Sequence, residues 1–160
     1  MKVLIAVDNS KFAAEVMGAV AKRAWPKDTE FLILDVVETC SLPGSTESFL
    51  HQCRILLDGR VTSLLKRLPT HKVESEVVEG AAKEQIVEVA DRYGADLIII
   101  GAHGESGIKR RRVGNIVTAV VNHADCSVEV IKPHRVSPPQ QTAKRKQTKS
   151  TRSQHALHNA

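Results

Sequence analysis

The sequence predicts an α/β protein built on one open sheet of five parallel strands with helices on both faces. Two observations carry this expectation: five short apolar runs of the kind strands show when both faces are covered, and four stretches of helical period that separate them. Strict alternation of strand and helix requires parallel crossovers, which lay the helices on the faces of the sheet. Size is the third observation. With 160 residues, 42% of them hydrophobic, the chain can bury about 70% of its unfolded surface and hold one domain together without disulfides or metal.

The first strand is the apolar run Val3 to Val7. Asn9 or Ser10 can cap the first helix, whose Phe12, Val16, Ala19, Val20 and Arg23 share a face before Trp25-Pro26 stops it. Phe31 to Val37 is the second strand, and Ser41 to Ser45, with Pro43 and Gly44, is a loop by composition. Phe49, Leu50, Cys53, Leu56, Leu57, Val61, Leu64, Leu65 and Leu68 recur every three or four residues, giving a long amphipathic helix that ends at Pro69. The third strand, Lys72 to Val78, carries more charge than the others and belongs at a sheet edge. Ile86, Val89, Ala90 and Tyr93 mark a helix from Ala82, with Gly94 as its stop. Asp96 to Ile100 is the most apolar strand, Val113 to His123 the fourth helix and Ser127 to Lys132 the fifth strand.

The net charge of +5 is unevenly placed. Between Pro133 and Ala160 there are six Lys/Arg and no acid, which leaves 17 basic and 18 acidic residues, a net of −1, in the first 132. Residues 1–133 therefore read as the folded domain and 134–160 as a basic tail. The tail has too few large apolar residues to offset its own ordering entropy by burial, so it is expected to stay disordered. Nucleic acid is a plausible partner only for this tail, because basic arms bind phosphate backbones whatever domain carries them. An aromatic content of 3% argues against base stacking on the domain itself. The longest apolar runs, such as Leu97 to Ile100, fall far short of the roughly 18 residues of a membrane span. The start lacks a signal-peptide core, and Cys40, Cys53 and Cys126 form no zinc or CxxC pattern, so a reducing, cytoplasmic setting is the expectation.

In open parallel sheets ligands bind beyond the carboxyl ends of the strands, where the strand order reverses. The first strand ends at Asp8, the second near Val36-Val37-Glu38, and the fourth at Gly101-Ala102-His103-Gly104. Two glycines three apart can take positive φ and let backbone N–H groups approach an anion. Ten residues after Gly104, Gly114-Asn115 opens the fourth helix, whose free N–H groups and dipole suit a phosphate. There is no GxxxxGK[ST], and the first strand-to-helix turn has no glycine, so neither the P-loop nor the dinucleotide fingerprint is present. No metal cluster emerges from the scattered histidines, and no Ser-His-Asp or Cys-His nucleophile can be assembled.

Asp8, Gly101-Ala102-His103-Gly104, nine residues, Gly114-Asn115 and the closing Cys126 to Ile131 resemble the universal stress protein family, in its ATP-binding branch, over roughly residues 1 to 132. The resemblance implies a Rossmann-like nucleotide-binding sheet of order 3-2-1-4-5 and a homodimer formed through strand five. It also implies that ATP, or AMP or ADP, with Mg²⁺ on the phosphates, lies near Ala6, Asp8 and Val36 at its nucleoside end. The phosphates would then run along Gly101, His103, Gly104, Gly114, Asn115 and Ile116. In the family the residue after the last glycine is Ser or Thr, whose hydroxyl helps hold the terminal phosphates, and here it is Asn115.

The residue chemistry leaves alternatives beside this. Asp8 can accept from ribose hydroxyls or the adenine amino group, or it can be a turn residue. Gly101 and Gly104 can form a tight turn with no ligand, and Asn115 can be an N-cap. Lys109-Arg110-Arg111-Arg112 can balance a triphosphate or form a solvated basic loop. At the level of function, the first reading is a stress-response regulatory protein that binds an adenine nucleotide and acts as a dimer. The second is a slow ATPase or a phosphoryl- or adenylyl-transfer enzyme at the same site, for which Asp8 and His103 are the only general bases on offer. The third is a phosphoacceptor receiver domain. Lys132-Pro133 fits that reading, whereas Asp8-Asn9 stands where an acidic pair would be expected and Glu79 stands in place of an Asp at the end of the third strand.

Overall fold

The computed structural model describes residues 1–38, 46–103 and 114–132. Along them run β1 (Lys2–Val7), α1 (Ala13–Lys22), β2 (Glu30–Val37), α2 (Thr46–Leu65), β3 (Lys72–Glu79), α3 (Ala82–Tyr93), β4 (Leu97–Gly101), α4 (Asn115–His123) and β5 (Ser127–Ile131). The strands pair in the order β3-β2-β1-β4-β5, each ladder parallel, as expected. Gly104, the Lys109–Arg112 cluster, Val113, Cys40, the 41–45 loop and the tail lie outside the described residues.

The unbroken apolar runs of β1 and β2 are explained by burial on both sides. Val3, Ile5, Val7, Phe31 and Ile33 point into a core closed by α1 and α2, where Val16, Val20, Leu57 and Leu64 meet them. Leu4, Ala6, Leu32 and Leu34 point the other way, against Ile86, Val89, Val117 and Val120 of α3 and α4. Each fully buried Leu, Ile or Phe contributes about 1.5–3 kcal/mol, so the middle of the sheet is the stable frame on which the strand ends are held.

Helix starts and stops differ from expectation in instructive ways. Neither Asn9 nor Ser10 is the N-cap of α1; that place falls to Phe12, which has no side-chain capping bond. The Ser10 hydroxyl instead accepts from the Phe12 N–H at 3.2 Å, and the helix begins one turn later. At the other end α1 stops at Lys22, so Arg23 leaves its apolar face and pairs with Glu129 of β5 through both guanidinium nitrogens, one at 2.6 Å. The Trp25 indole donates to the Val20 carbonyl at 2.8 Å, satisfying one of the last carbonyls of the helix. On α2, which stops at Leu65 rather than at Pro69, the buried stripe is Cys53, Leu57 and Leu64, continued by Leu68 beyond the helix, whereas Phe49, Leu56 and Leu65, assigned to the same face from their spacing, are exposed. Gly94 ends α3 in the left-handed region at φ 70°, its N–H bonded to Ala90 and Asp91 carbonyls, as anticipated. Asp96 precedes β4 rather than opening it, and its carboxylate accepts the Lys2 N–H at 2.7 Å.

Both edges of the sheet carry charge. On β3, Lys72 lies 3.0 Å from Glu74 and 3.7 Å from Glu30, while on β5 Glu129 holds Arg23 and Val128, Val130 and Ile131 are half-buried.

Candidate functional site

The strand order reverses between β1 and β4, and the chain leaves them for α1 and α4 on opposite faces of the sheet, the point at which open parallel sheets bind ligands. Ala6 pairs with Ile100, which sets Asp8 beside the segment Gly101-Ala102-His103. The Ala102 N–H donates to the Ile131 carbonyl at 2.8 Å and the Gly114 N–H donates to the Ala102 carbonyl at 3.1 Å. The first ties the segment after β4 to the end of β5, and the second fastens the start of α4 to that segment. Gly114 is the N-cap, and Asn115, expected there, is the first helical residue and exposed, as is Ile116. The N–H groups of the first turn of α4 have no partners within the helix and carry its positive dipole end.

The glycines earn their place by space rather than by φ. Among the described residues only Gly80 (142°) and Gly94 (70°) have positive φ, so Gly101 does not supply the left-handed turn expected of it. A Cβ at Gly101 would stand 3.3 Å from Val16 Cγ2, tighter than ordinary contact, so glycine there lets α1 close on the strand end. Gly114 sits at φ −65°, which any residue can adopt, and a Cβ there would meet nothing nearer than the Ala102 carbonyl at 3.7 Å. The described residues therefore give no packing reason for glycine at 114.

At the β1 end, Asp8 forms a turn with Ser10. Its Oδ1 accepts from the Ser10 N–H at 3.1 Å and from the Ser10 hydroxyl at 2.6 Å, leaving Oδ2 outside the turn. The Arg60 guanidinium, from α2, donates through Nη2 to the Asp8 carbonyl at 2.8 Å. Asp35, 3% exposed, pairs with Val7 in the β1–β2 register, and among the described residues its buried Oδ2 has no hydrogen-bond partner. Burial pushes the Asp35 carboxyl above its ordinary value, the Arg60 charge opposes this and the Asp8 charge adds to it. Val36 is half-buried and pairs with Val78 on β3, one residue past the last pairing with β1. The described candidates Ala6, Asp8, Val36, Gly101, His103, Gly114, Asn115 and Ile116 thus all lie along the carboxyl edge of β2, β1 and β4 and the start of α4.

Sequence reasoning passed over Asp35 and Arg60. An acid inside an otherwise apolar strand was the available signal, as was an arginine seven residues after Cys53 on the buried side of a helix. It also passed over Glu38, whose carboxylate accepts the Ala82 N–H at 3.1 Å and so caps α3 from the end of β2. Cys53 and Cys126 are unpaired thiols, and the described residues contain neither a cluster of three metal-ligating side chains nor a helix long and apolar enough to cross a membrane.

Comparison with known proteins places this arrangement. The model of the Universal stress protein family matches residues 1–132. A universal stress protein from Methanocaldococcus jannaschii is 28% identical over 138 residues, covering 82% of this chain and 81% of that one. The structure of universal stress protein UspA from Lactobacillus plantarum superposes with a TM-score of 0.70 at 23% identity, over 82% of this chain and 97% of that one. A universal stress protein family protein from Arabidopsis thaliana with AMP bound superposes at 0.60 with 21% identity, over 84% of this chain and 92% of that one.

Proposed function

Because this chain belongs to the universal stress protein family, we propose that it is a small cytoplasmic regulatory protein of stress responses that binds an adenine nucleotide in the crevice between β1 and β4. The observation that carries the reading is the junction of Ala102 and Gly114, which sets the N-terminus of α4 at the end of β4, with no described residue packed tightly against Gly114. A nucleotide fits this donor set. The first-turn N–H groups of α4 at Asn115 and Ile116 would hold phosphate oxygens, and the missing side chains at Gly101 and Gly114 would let the backbone come close. Asp8 Oδ2 would accept from the nucleoside, near Ala6 and the backbone of Val36, with His103 beside the phosphates. The AMP held by the Arabidopsis relative supports an adenine ligand. ATP with Mg²⁺ on its phosphates is the ligand we assign first, with ADP or AMP as the alternatives.

The same reading includes a homodimer formed through β5, an edge strand with unpaired backbone groups. It divides the chain into a nucleotide-binding domain over residues 1–133 and a basic tail over 134–160 that engages polyanions, nucleic acid among them. Calorimetry with ATP, ADP and AMP in the presence of Mg²⁺ tests the binding assignment. Saturable binding of at least one is the expected result, and no heat from any of them at millimolar ligand removes the assignment.

A further inference from the structure

We infer that Arg60 and Asp35 are positioning residues for the nucleoside end of the crevice: Arg60 reaches from α2 to hold the Asp8 carbonyl and fixes the turn on which the Asp8 carboxylate is presented. This rests on the nucleotide-binding reading of the same site and adds to it two residues that touch no ligand. The Arg60 Nη2 to Asp8 carbonyl bond, 2.8 Å, joins positions 52 apart in the chain and ties a helix to the loop that leaves β1. The loop has its own lock, Asp8 Oδ1 with the Ser10 N–H and hydroxyl and Ser10 Oγ with the Phe12 N–H. That lock fixes the carboxylate relative to Ser10 but not relative to the sheet. Arg60 supplies the second attachment.

Asp35 explains why a guanidinium is kept there. It is buried at the end of β2 between Val7 of β1 and Val77 of β3, both apolar, so the charged groups acting on it are Arg60 from α2 and Asp8 from the end of β1. Its Oδ2 and the Arg60 Nη1 are both buried and, among the described residues, both without a hydrogen-bond partner, one an acceptor and the other a donor. The two side chains form no hydrogen bond to each other and act on one another through charge, while the Asp8 carbonyl accepts the guanidinium's hydrogen bond. Next to this pair, Asn9 donates its amide to Cys53 Sγ at 3.5 Å, which fastens the following loop residue to the same helix.

The test separates the clamp from the ligand. In the ligand-free protein, Arg60→Met should speed amide exchange at Ser10 and Phe12 by about tenfold, as expected for one lost anchoring hydrogen bond, and Arg60→Lys should restore most of the protection. With AMP as the probe, Arg60→Met should weaken affinity by about tenfold and Arg60→Lys should recover it, although neither residue contacts the ligand. If Arg60→Met fails to fold, the Arg60→Met/Asp35→Asn double variant, which leaves no unpaired buried charge, carries the same two measurements. Exchange or AMP affinity unchanged in Arg60→Met, with only a lowered melting temperature, overturns the inference. A wild-type chain that binds no AMP overturns the presentation role along with the nucleotide reading, while exchange at Ser10 and Phe12 still decides whether the clamp exists.

Discussion

Adding a single methyl group at each of the two described glycines of the crevice should give opposite results, because the structure gives each glycine a different reason. At Gly101 a Cβ would come within 3.3 Å of Val16 Cγ2, and Val16 is buried in the core between β1 and α1. Relieving that contact requires α1 or the Val16 rotamer to move by a few tenths of an ångström, an overpacking cost of about 1 kcal/mol. For a domain of this size that lowers the melting temperature by about 3–5 °C. Shortening the neighbour, in Val16→Ala/Gly101→Ala, should make the two changes less than additive, since the second methyl enters the space vacated by the first. At Gly114 the backbone is already at φ −65° and, among the described residues, a Cβ would meet only the Ala102 carbonyl at an ordinary 3.7 Å. Gly114→Ala should therefore cost no more than about 0.5–1 kcal/mol, the difference between glycine and alanine at an N-cap. The same methyl would project into the space assigned to the phosphates, so AMP affinity should fall at least about tenfold. Thermal melts and AMP calorimetry on Gly101→Ala, Val16→Ala, their double variant and Gly114→Ala make the comparison. Wild-type AMP affinity in Gly114→Ala, or additivity of the Val16 and Gly101 changes, would refute the reasoning.

Three further outcomes are expected. Asp35 has a native pKa raised by burial, so the folded state keeps its proton to higher pH than the unfolded chain does. Its contribution to stability must therefore fall as pH rises from about 3.9 through the native value, and the difference between wild type and Asp35→Asn in denaturant midpoint should carry that negative slope. A positive slope in the difference contradicts the buried, unpaired carboxyl. Asn115→Ser, which places a hydroxyl in the first turn of α4, should raise the preference for ATP over AMP in competition binding; an unchanged ratio would separate Asn115 from the outer phosphates. Ile131 turns its carbonyl toward β4, where Ala102 donates to it, so the neighbouring Val130 N–H faces the free edge of β5. Val130→Pro should remove an edge donor without breaking the β4 ladder and shift the protein from dimer to monomer in light scattering, and a wild-type chain that is already monomeric rules out the β5 dimer.

The sheet was legible because its strands are buried on both faces, and a run such as Val3 to Val7 has few other uses in a chain of this composition. Helix limits were less so. Ser10 has the chemistry of a cap, yet Asp8 draws its hydroxyl into a turn, and α1 starts only after that turn is closed. On α2, spacing alone could not tell Leu57 from Leu56, since which side of a long helix is covered depends on where the sheet ends beneath it. The glycine spacing located the crevice, but the reason for Gly101 was tertiary: its neighbour Val16 is 85 positions away and invisible to local pattern. Asp35 and Arg60 were hidden for the same reason, as each is intelligible only beside the other and beside the Asp8 carbonyl.

Binding of adenine nucleotide at the β1/β4 crevice is tested most directly by an amide NMR titration of the full chain with AMP. Saturable shifts should concentrate at Asp8, Val36, Gly101, His103 and the Gly114–Ile116 start of α4, and leave Lys72 to Glu79 of β3 unmoved. No shifts at millimolar AMP, or shifts centred on the β3 edge, would contradict the assignment.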